Sequence, residues 1–270
     1  MRGYLSTGHR WHLLGGVVLA FHLALTSTLG VAQQAADPKP ESTSAAKRSA
    51  LDTLIYVPHD YGAPEVTETG GARGAGQAET ALPDLLVLAP PRLARTLSVQ
   101  PTLYWYLSGP SSVPLRLTLL DFEGTSPEPL LELELDPVPA AGVYSASLAA
   151  HDVRLEQGRL YEWSVALEID QEGYSNEPVA KTIMAAEEAD PALLAKIADA
   201  PALARIEALA AAGYWYDALD LLAQQIAADD RSQPWRELRA GLFEQVALQA
   251  VAAFERGDAP LDRTARRLSN

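Results

Sequence analysis

The feature that most constrains the fold is a change of hydrophobic period near Asp190. Before it, short runs alternate apolar and polar residues, as in "LRLTLL", "LLELELD", "YEWSVALEID" and "VAKTIMA". Pro, Gly, Asp and Asn separate these runs at strand-and-turn spacing. After Asp190 the apolar residues recur at helical spacing. The sequence therefore predicts strands first and helices second.

The strand region, residues 85–188, predicts an antiparallel β-sandwich of the immunoglobulin-like class. In "LEQGRLYEW", Leu155 stands six residues before Tyr161, with Gly158 between them. This spacing fits a tyrosine corner, in which a Tyr hydroxyl bonds back to the backbone at the edge of a sandwich. An ordinary strand tyrosine is the alternative. Trp163 follows on the same strand face, and we assign it to the core.

Residues 189–257 predict a small helical region. Asp190 is suited to cap the first helix, because a proline follows it at the first helical position. Gly213 is suited to end a helix. Further helices are predicted from about residue 214 to 228, and after Ser232 as one helix that stops near Gly257.

A spacing typical of tetratricopeptide repeats occurs in this region. Gly213, Trp215, Ala218 and Leu222 follow the pattern of the middle of such a repeat, and the proline between units is displaced to Pro234. The pattern covers at best about one and a half units, whereas stable arrays need about three. We therefore expect a helical hairpin packed on the sandwich rather than a solenoid.

The aromatic run "LYWYL" predicts two different strand faces. Trp105 shares one face with the flanking leucines, and Tyr104 and Tyr106 share the other. We expect Trp105 in the core and the two tyrosines outward or under a loop. Tyr104 and Tyr106 are the only residues for which a binding role is predicted, because exposed aromatic side chains often anchor interfaces.

The second aromatic run, "GYWYDAL", lies in the helical region. At 100° per residue, Trp215 aligns with Ala218 and Leu222. These three form the predicted core stripe, while Asp217 and Asp220 are expected to face solvent. The two aromatic runs have different periods and are therefore not a sequence repeat.

The N-terminus has the three parts of a secretory signal. Residues 1–32 contain a basic start, an apolar run and small residues at the −3 and −1 positions, Gly30 and Ala32. A retained membrane anchor is the alternative, because the apolar stretch is nearly long enough to span. Residues 33–84 predict a disordered, Gly- and Pro-rich linker, in which "LDTLIYVP" leaves room for one short strand. Residues 258–270 predict a basic tail.

Composition excludes several partners. The chain has 35 acidic and 21 basic residues and no cysteine. Two of the basic residues and none of the acidic ones precede Gln33, so a cleaved chain would carry a net charge near −16. Such a surface repels nucleic acid and anionic lipid. No later apolar run approaches spanning length, so no membrane span is expected in the mature chain.

The residues that carry chemistry are few. Beyond the signal only His59 and His151 remain, and they lie on separate segments. Metal sites built on His or Cys clusters are therefore not expected, nor is a Ser-His-Asp triad. Paired carboxylates could cleave glycosides, but "LELELD" places Glu132 and Glu134 on an exposed strand face. We predict no catalytic residue, no metal and no cofactor.

In order, "GGARG", "PTLYWYL", "LTLLD", "LEQGRLYEW", "SNEPVAKTI" and "AAGYWYDALDLL" resemble the bacterial domain of unknown function 928. The resemblance covers roughly residues 70–250. It implies an exported protein with no assigned activity, and it carries over no catalytic residue. Members of that family often have two cysteines, where this chain has Gly76 and Ile169. The resemblance thus implies that a disulfide of the family is absent here.

Two functions from different classes fit these observations. The first is a non-catalytic binding or scaffold protein of the cell envelope, located in the periplasm or secreted, whose partner is an envelope protein or glycan. The alternative is an envelope glycan hydrolase that acts through carboxylates. The absence of a catalytic set favours the first.

We expect export with cleavage after Ala32, because the small residues at Gly30 and Ala32 fit a signal peptidase site. The intact mass of the protein purified from its native host measures this directly. A mature chain that still begins at Met1 would instead support the membrane anchor.

Overall fold

Strands come first and helices second in the computed structural model of the chain, as the change of period predicts. The structure describes residues 54–59, 82–124, 126, 128–169, 178–229 and 233–257. All of them belong to one compact unit. The predicted signal peptide, most of the predicted linker with Gly76, and the basic tail lie outside the described residues.

The strands form two mostly antiparallel sheets. One sheet has the order β1-β3-β6 and the other β2-β8-β7-β4-β5. Strand β2 runs parallel to β8, so the prediction of purely antiparallel pairing is wrong at this one pair. The strands are β1 (Leu85–Val87), β2 (Ala94–Thr96), β3 (Thr102–Leu107), β4 (Leu115–Asp121), β5 (Leu131–Leu135), β6 (Gly142–Ser147), β7 (Arg159–Leu167) and β8 (Val179–Ala186).

Alternation along the strands places the core between the sheets. In β4 and β7 every second side chain is buried, as expected of strands with one face toward the core. Strand β1 of the smaller sheet lies against β7 and β8 of the larger one. Trp163, in the middle of β7, is completely buried, which confirms its assignment to the core.

The hydrogen bonds of Tyr161 are those that a tyrosine corner requires. Its hydroxyl accepts from the backbone N of Glu156 at 2.7 Å and lies 3.2 Å from the carbonyl oxygen of the same residue. Leu155 is buried beside it, and Gly158 has a φ of +81° in the intervening turn. Burial raises the pKa of the Tyr161 hydroxyl. The tyrosine therefore ties the turn before β7 to the strand itself.

Five helices follow the sheets, more than the predicted hairpin. They are α1 (Pro191–Ala198), α2 (Ala202–Ala211), α3 (Trp215–Ala228), α4 (Gln233–Gln245) and α5 (Gln249–Arg256). Asp190 caps α1, since its carboxylate accepts from the N–H of Ala192 at 2.8 Å. Gly213 follows the end of α2 with a φ of +81°. Both helix signals read from the sequence are confirmed.

The last predicted helix is in fact two, α4 and α5. Ala247 has a φ of +63°, and the N–H of Leu248 bonds to the carbonyl of Phe243 at 3.0 Å, which ends α4. A left-handed residue at this position is normally glycine or asparagine. Because alanine occupies it, the sequence contains no signal for the break.

Strands and helices share one main hydrophobic core. The indole N–H of Trp215 donates to the carbonyl of Leu88 at 2.8 Å, and that of Trp163 donates to the hydroxyl of Tyr216 at 2.8 Å. Trp105 and Trp215 are both buried in the same cluster, so the prediction of two buried tryptophans is confirmed. Ala218 and Leu222 are completely buried with them.

We expect Tyr161→Phe to lower the free energy of unfolding by about 1–3 kcal/mol, because partly buried backbone groups of Glu156 lose their partner. Thermal or denaturant unfolding measures the change. Tyr144→Phe is a matched control, since the Tyr144 hydroxyl also bonds a backbone carbonyl, that of Ala140, but at an exposed position. The control should change stability by less than about 0.5 kcal/mol, and equal effects of the two substitutions would contradict the tyrosine-corner role.

Candidate functional site

Both tyrosines of β3 are buried, so the expectation that Tyr104 and Tyr106 lie on an exposed face is wrong. The physical reason is that helices cover the second face of the strand. The Tyr104 hydroxyl donates to a carboxylate oxygen of Asp220 on α3 at 2.7 Å. The ring of Tyr106 lies 5.3 Å from that of Phe254 on α5. The predicted binding surface therefore loses its only named residues.

The acidic residues of α3 face the strands rather than solvent, contrary to the sequence expectation. Asp220 accepts from Tyr104 and, at 2.8 Å, from the side chain of Gln224. Asp217 accepts from the backbone N–H of Leu97 at 2.9 Å and from the hydroxyl of Thr96. Burial raises the pKa of Asp217 to about 6. Asp217 thus fastens the first turn of α3 to the end of β2 at the edge of the larger sheet, and Asp220 fastens the next turn to β3 of the smaller sheet.

Arg95, on β2, is the centre of a polar cluster that the sequence does not reveal. Its guanidinium lies 2.7 Å from a carboxylate oxygen of Glu187 and donates to the hydroxyl of Tyr214 at 2.7 Å. It also donates to the carbonyl of Ala212 at 3.2 Å and lies 3.3 Å from the ring of His59. Burial raises the pKa of Glu187. The cluster joins strand ends to the turn between α2 and α3.

A buried ion pair links the last two helices. Arg239 on α4 and Glu255 on α5 lie 2.7 Å apart, and both side chains are buried. Arg236 lies 3.8 Å from the other oxygen of Glu255. Breaking such a pair from one side leaves a buried charge without its partner, which is strongly destabilising. The pair therefore holds α4 and α5 together across the break at Ala247.

Residues 54–59, here called the strap, lie against the helices and form no strand. The side-chain amide of Gln245 on α4 accepts from the N–H of Tyr56 and donates to the carbonyl of Leu54, both at 2.8 Å. The N–H of Val57 donates to the carbonyl of Ala210 at 3.1 Å. One side-chain amide thus binds the strap backbone through both of its polar atoms.

The strap side chains alternate in burial. Leu54 and Tyr56 are buried, whereas Ile55 and Val57 are exposed. The ring of Tyr56 meets that of Trp215 edge-on at 5.0 Å, and the ring of Phe243 lies 6.5 Å from that of Trp215. We name the surface formed by Ala210, Gly213, Trp215, Phe243 and Gln245 the groove.

Gly213 allows the strap to approach the helices closely. A Cβ atom at this position would lie 2.9 Å from the carbonyl oxygen of Val57. The glycine therefore has two functions, since it supplies the left-handed conformation after α2 and leaves room for the strap backbone. From the sequence only the first function was expected.

The described residues show few features of a reaction centre. Glu132 and Glu134 are exposed on β5, as predicted, and His151 is exposed as well. Across the described ranges, no three side chains of His, Asp or Glu come together as metal ligands would. Within the same ranges, no helix is both long and apolar enough to span a bilayer.

A comparison with known families finds a match that covers most of the chain. The model of a family described as Domain of Unknown Function (DUF928) matches residues 68–255, which includes both sheets and nearly all of the five helices. The chain belongs to this family. No curated protein matches it. The matched range contains every residue of the groove and begins after the strap.

Asp217→Asn should reveal the raised pKa of Asp217. An unfolded Asp titrates near pH 3.9, whereas the folded residue titrates at about pH 6. The folded state then binds more protons between these values, so this residue's contribution to stability is largest below about pH 3.9 and is lost as the pH rises through 6. We expect the unfolding free energy of the wild type, relative to Asp217→Asn, to fall by about 1–3 kcal/mol between pH 4 and pH 7.

The measurement is denaturant unfolding of both proteins at each pH. The asparagine retains an oxygen that can accept from Leu97 and does not titrate, so other ionisable groups cancel in the comparison. A difference that is the same at both pH values would show that Asp217 has an ordinary pKa.

Proposed function

We propose that this chain is a non-catalytic binding or scaffold protein of the cell envelope, located in the periplasm or secreted. The observation that carries the proposal concerns the polar side chains of the described residues that would best suit a catalytic role. They form hydrogen bonds or ion pairs with other parts of the protein. Asp217, Asp220, Arg95 and Glu187 each have a partner on another segment. They connect the sheets to the helices, which suits a rigid protein that binds its partner through its surface.

The location rests on the three-part N-terminus and on the charge of the chain. Residues 1–32 have the order of a secretory signal. The excess of acidic residues suits a protein that stays away from nucleic acid and anionic membrane surfaces. An envelope protein or glycan is therefore the proposed partner.

The finer fold class is part of the same proposal. The strand order supports an immunoglobulin-like sandwich, because five strands in the order β2-β8-β7-β4-β5 and three in the order β1-β3-β6 correspond to the two sheets of that fold. The tyrosine corner at the start of β7 supports it as well. The helical layer, in which neighbouring helices pack in sequence, supports a tetratricopeptide-like arrangement.

One observation favours the alternative, a carboxylate-dependent glycan hydrolase. The pKa of Asp217 is raised to about 6, a value that suits a general acid. Against it, the carboxylate of Asp217 already accepts from Leu97 and Thr96, and that of Asp220 from Tyr104. A glycosidase needs two carboxyl groups that face the scissile bond.

Two measurements separate these functions. We expect chemical crosslinking of the tagged mature chain in envelope fractions to recover the same partner with the wild type and with Asp217→Asn, because Asp217 serves the structure. We also expect neither protein to release soluble sugar fragments from purified envelope glycan. Fragments released by the wild type and not by Asp217→Asn would establish the hydrolase and overturn the binding proposal.

A further inference from the structure

We propose that the groove is a binding site for an extended peptide of a partner protein, and that the strap occupies it as an internal ligand. The ligand is a segment with a large apolar residue followed, two positions later, by an aromatic residue. This inference rests on the proposed binding function and gives it a partner class. It is argued from the backbone contacts, the aromatic pocket and the exposed positions of the strap.

The backbone contacts are of a kind that any extended peptide can make. Gln245 bonds the N–H of one residue and the carbonyl of the residue two positions earlier, and the carbonyl of Ala210 accepts from a third backbone group. Main-chain hydrogen bonds of this type give affinity without reading side chains. The groove is therefore not restricted to the sequence of the strap.

The pocket for Tyr56 gives the groove a preference for an aromatic side chain. Tyr56 is buried against Trp215, and its hydroxyl has no hydrogen-bond partner among the described residues. A buried hydroxyl without a partner carries a desolvation penalty. The pocket is thus suited to an aromatic ring rather than to tyrosine in particular, and phenylalanine should fit it at least as well.

The side chains on either side of Tyr56 are not read. The side chains of Ile55 and Val57 are 59% and 49% exposed, so the groove buries only every second side chain from Leu54 to Val57. Alternate anchoring is typical of recognition of an extended peptide. The expected ligand pattern is therefore apolar, any residue, aromatic, any residue.

The strap is suited to be displaced. It forms no strand pairing with either sheet, and residues 60–81 separate it from the first described residue before β1. The family match, residues 68–255, includes every residue of the groove. A tethered ligand competes at an effective concentration in the millimolar range. An external peptide should therefore bind weakly until the strap is disabled.

The test uses the full mature chain and a fluorescent peptide with the sequence of residues 54–59, "LIYVPH", capped at both ends. The chain carries Tyr56→Ser, which removes the anchor of the internal ligand. We expect this variant to bind the peptide at least about tenfold more tightly than the wild type does, because the tethered competitor is weakened. Fluorescence anisotropy measures the affinities.

Matched peptides test the pocket. A peptide with Phe in place of Tyr56 should bind as tightly as the native one or more tightly. A peptide with Ser there should bind at least about tenfold more weakly, since it loses the aromatic anchor. Adding Gln245→Leu to the Tyr56→Ser chain should weaken binding of the native peptide by a similar factor, because two backbone groups of the ligand lose their partner.

Two glycines provide a control for the shape of the groove. In the Tyr56→Ser chain, Gly213→Ala should abolish peptide binding, because its Cβ would lie 2.9 Å from the ligand carbonyl. Gly158→Ala should leave binding unchanged, because Gly158 has the same φ of +81° but a Cβ there would have no atom within 4 Å. Comparing the two substitutions distinguishes the effect of lost space in the groove from the effect of backbone strain.

A second form of the test applies if the Tyr56→Ser chain does not fold. The wild-type chain is then given a protease site within residues 60–81 and is cleaved after folding. We expect the cleaved N-terminal fragment to stay bound and to exchange with the labelled native peptide but not with the Ser peptide. A fragment that neither peptide displaces would overturn the proposal.

Other outcomes also overturn the proposal that the groove binds a peptide of a partner protein. Equal binding of the native and Ser peptides would show that the groove does not read the aromatic anchor. A strap-dependent dimer would assign the groove to a second copy of the chain instead of a partner protein. If the peptide does not bind but crosslinking still recovers an envelope partner with both the wild type and Gln245→Leu, the binding function stands and the groove is not its site.

Discussion

The contacts of Trp215 connect the strands, the strap and the helices of this molecule. Its indole N–H bonds to the backbone after β1, and its ring packs against Tyr56 of the strap and Phe243 of α4. A large aromatic side chain that is completely buried contributes several kcal/mol to stability, because its removal leaves a cavity. Here the same side chain also joins α3 to the strands, to the strap and to α4. The contacts of Asp217 with Leu97 and of Tyr104 with Asp220 hold the helices on the sheets around it.

Much of the fold was readable from periodicity. Alternation predicted the strands, helical spacing and the Asp190 cap predicted the helices, and the spacing before Tyr161 predicted its backbone hydrogen bonds. The burial of Tyr104 and Tyr106 could not be predicted from the sequence. Alternation shows that a strand has two faces, but a tyrosine suits either an exposed face or a covered one. The covering helices come more than a hundred residues later, and only their packing decides the outcome.

The candidate site was less predictable than the fold for a related reason. Its contacts join residues far apart in sequence, such as Tyr56 and Gln245, which are 189 positions apart. Gln245 lies in a helix without any local pattern that marks it, and the strap resembled a short strand because its side chains alternate. Arg95 and Glu187 were equally unremarkable as single charges in the sequence. Their structural role depends on contacts in the folded chain, which neither the composition nor the spacing of residues reveals.

The docking of the strap has a consequence for the order in which the molecule assembles. A chain is made from its N-terminus, so residues 54–59 emerge before any part of the groove exists. Contacts between distant residues also form slowly, because loop closure precedes the gain from the contact. Leu54 and Tyr56 must therefore stay outside the core until α2, α3 and α4 have packed on the sheets. The first segment of the described chain thus depends for its place on helices that are made much later.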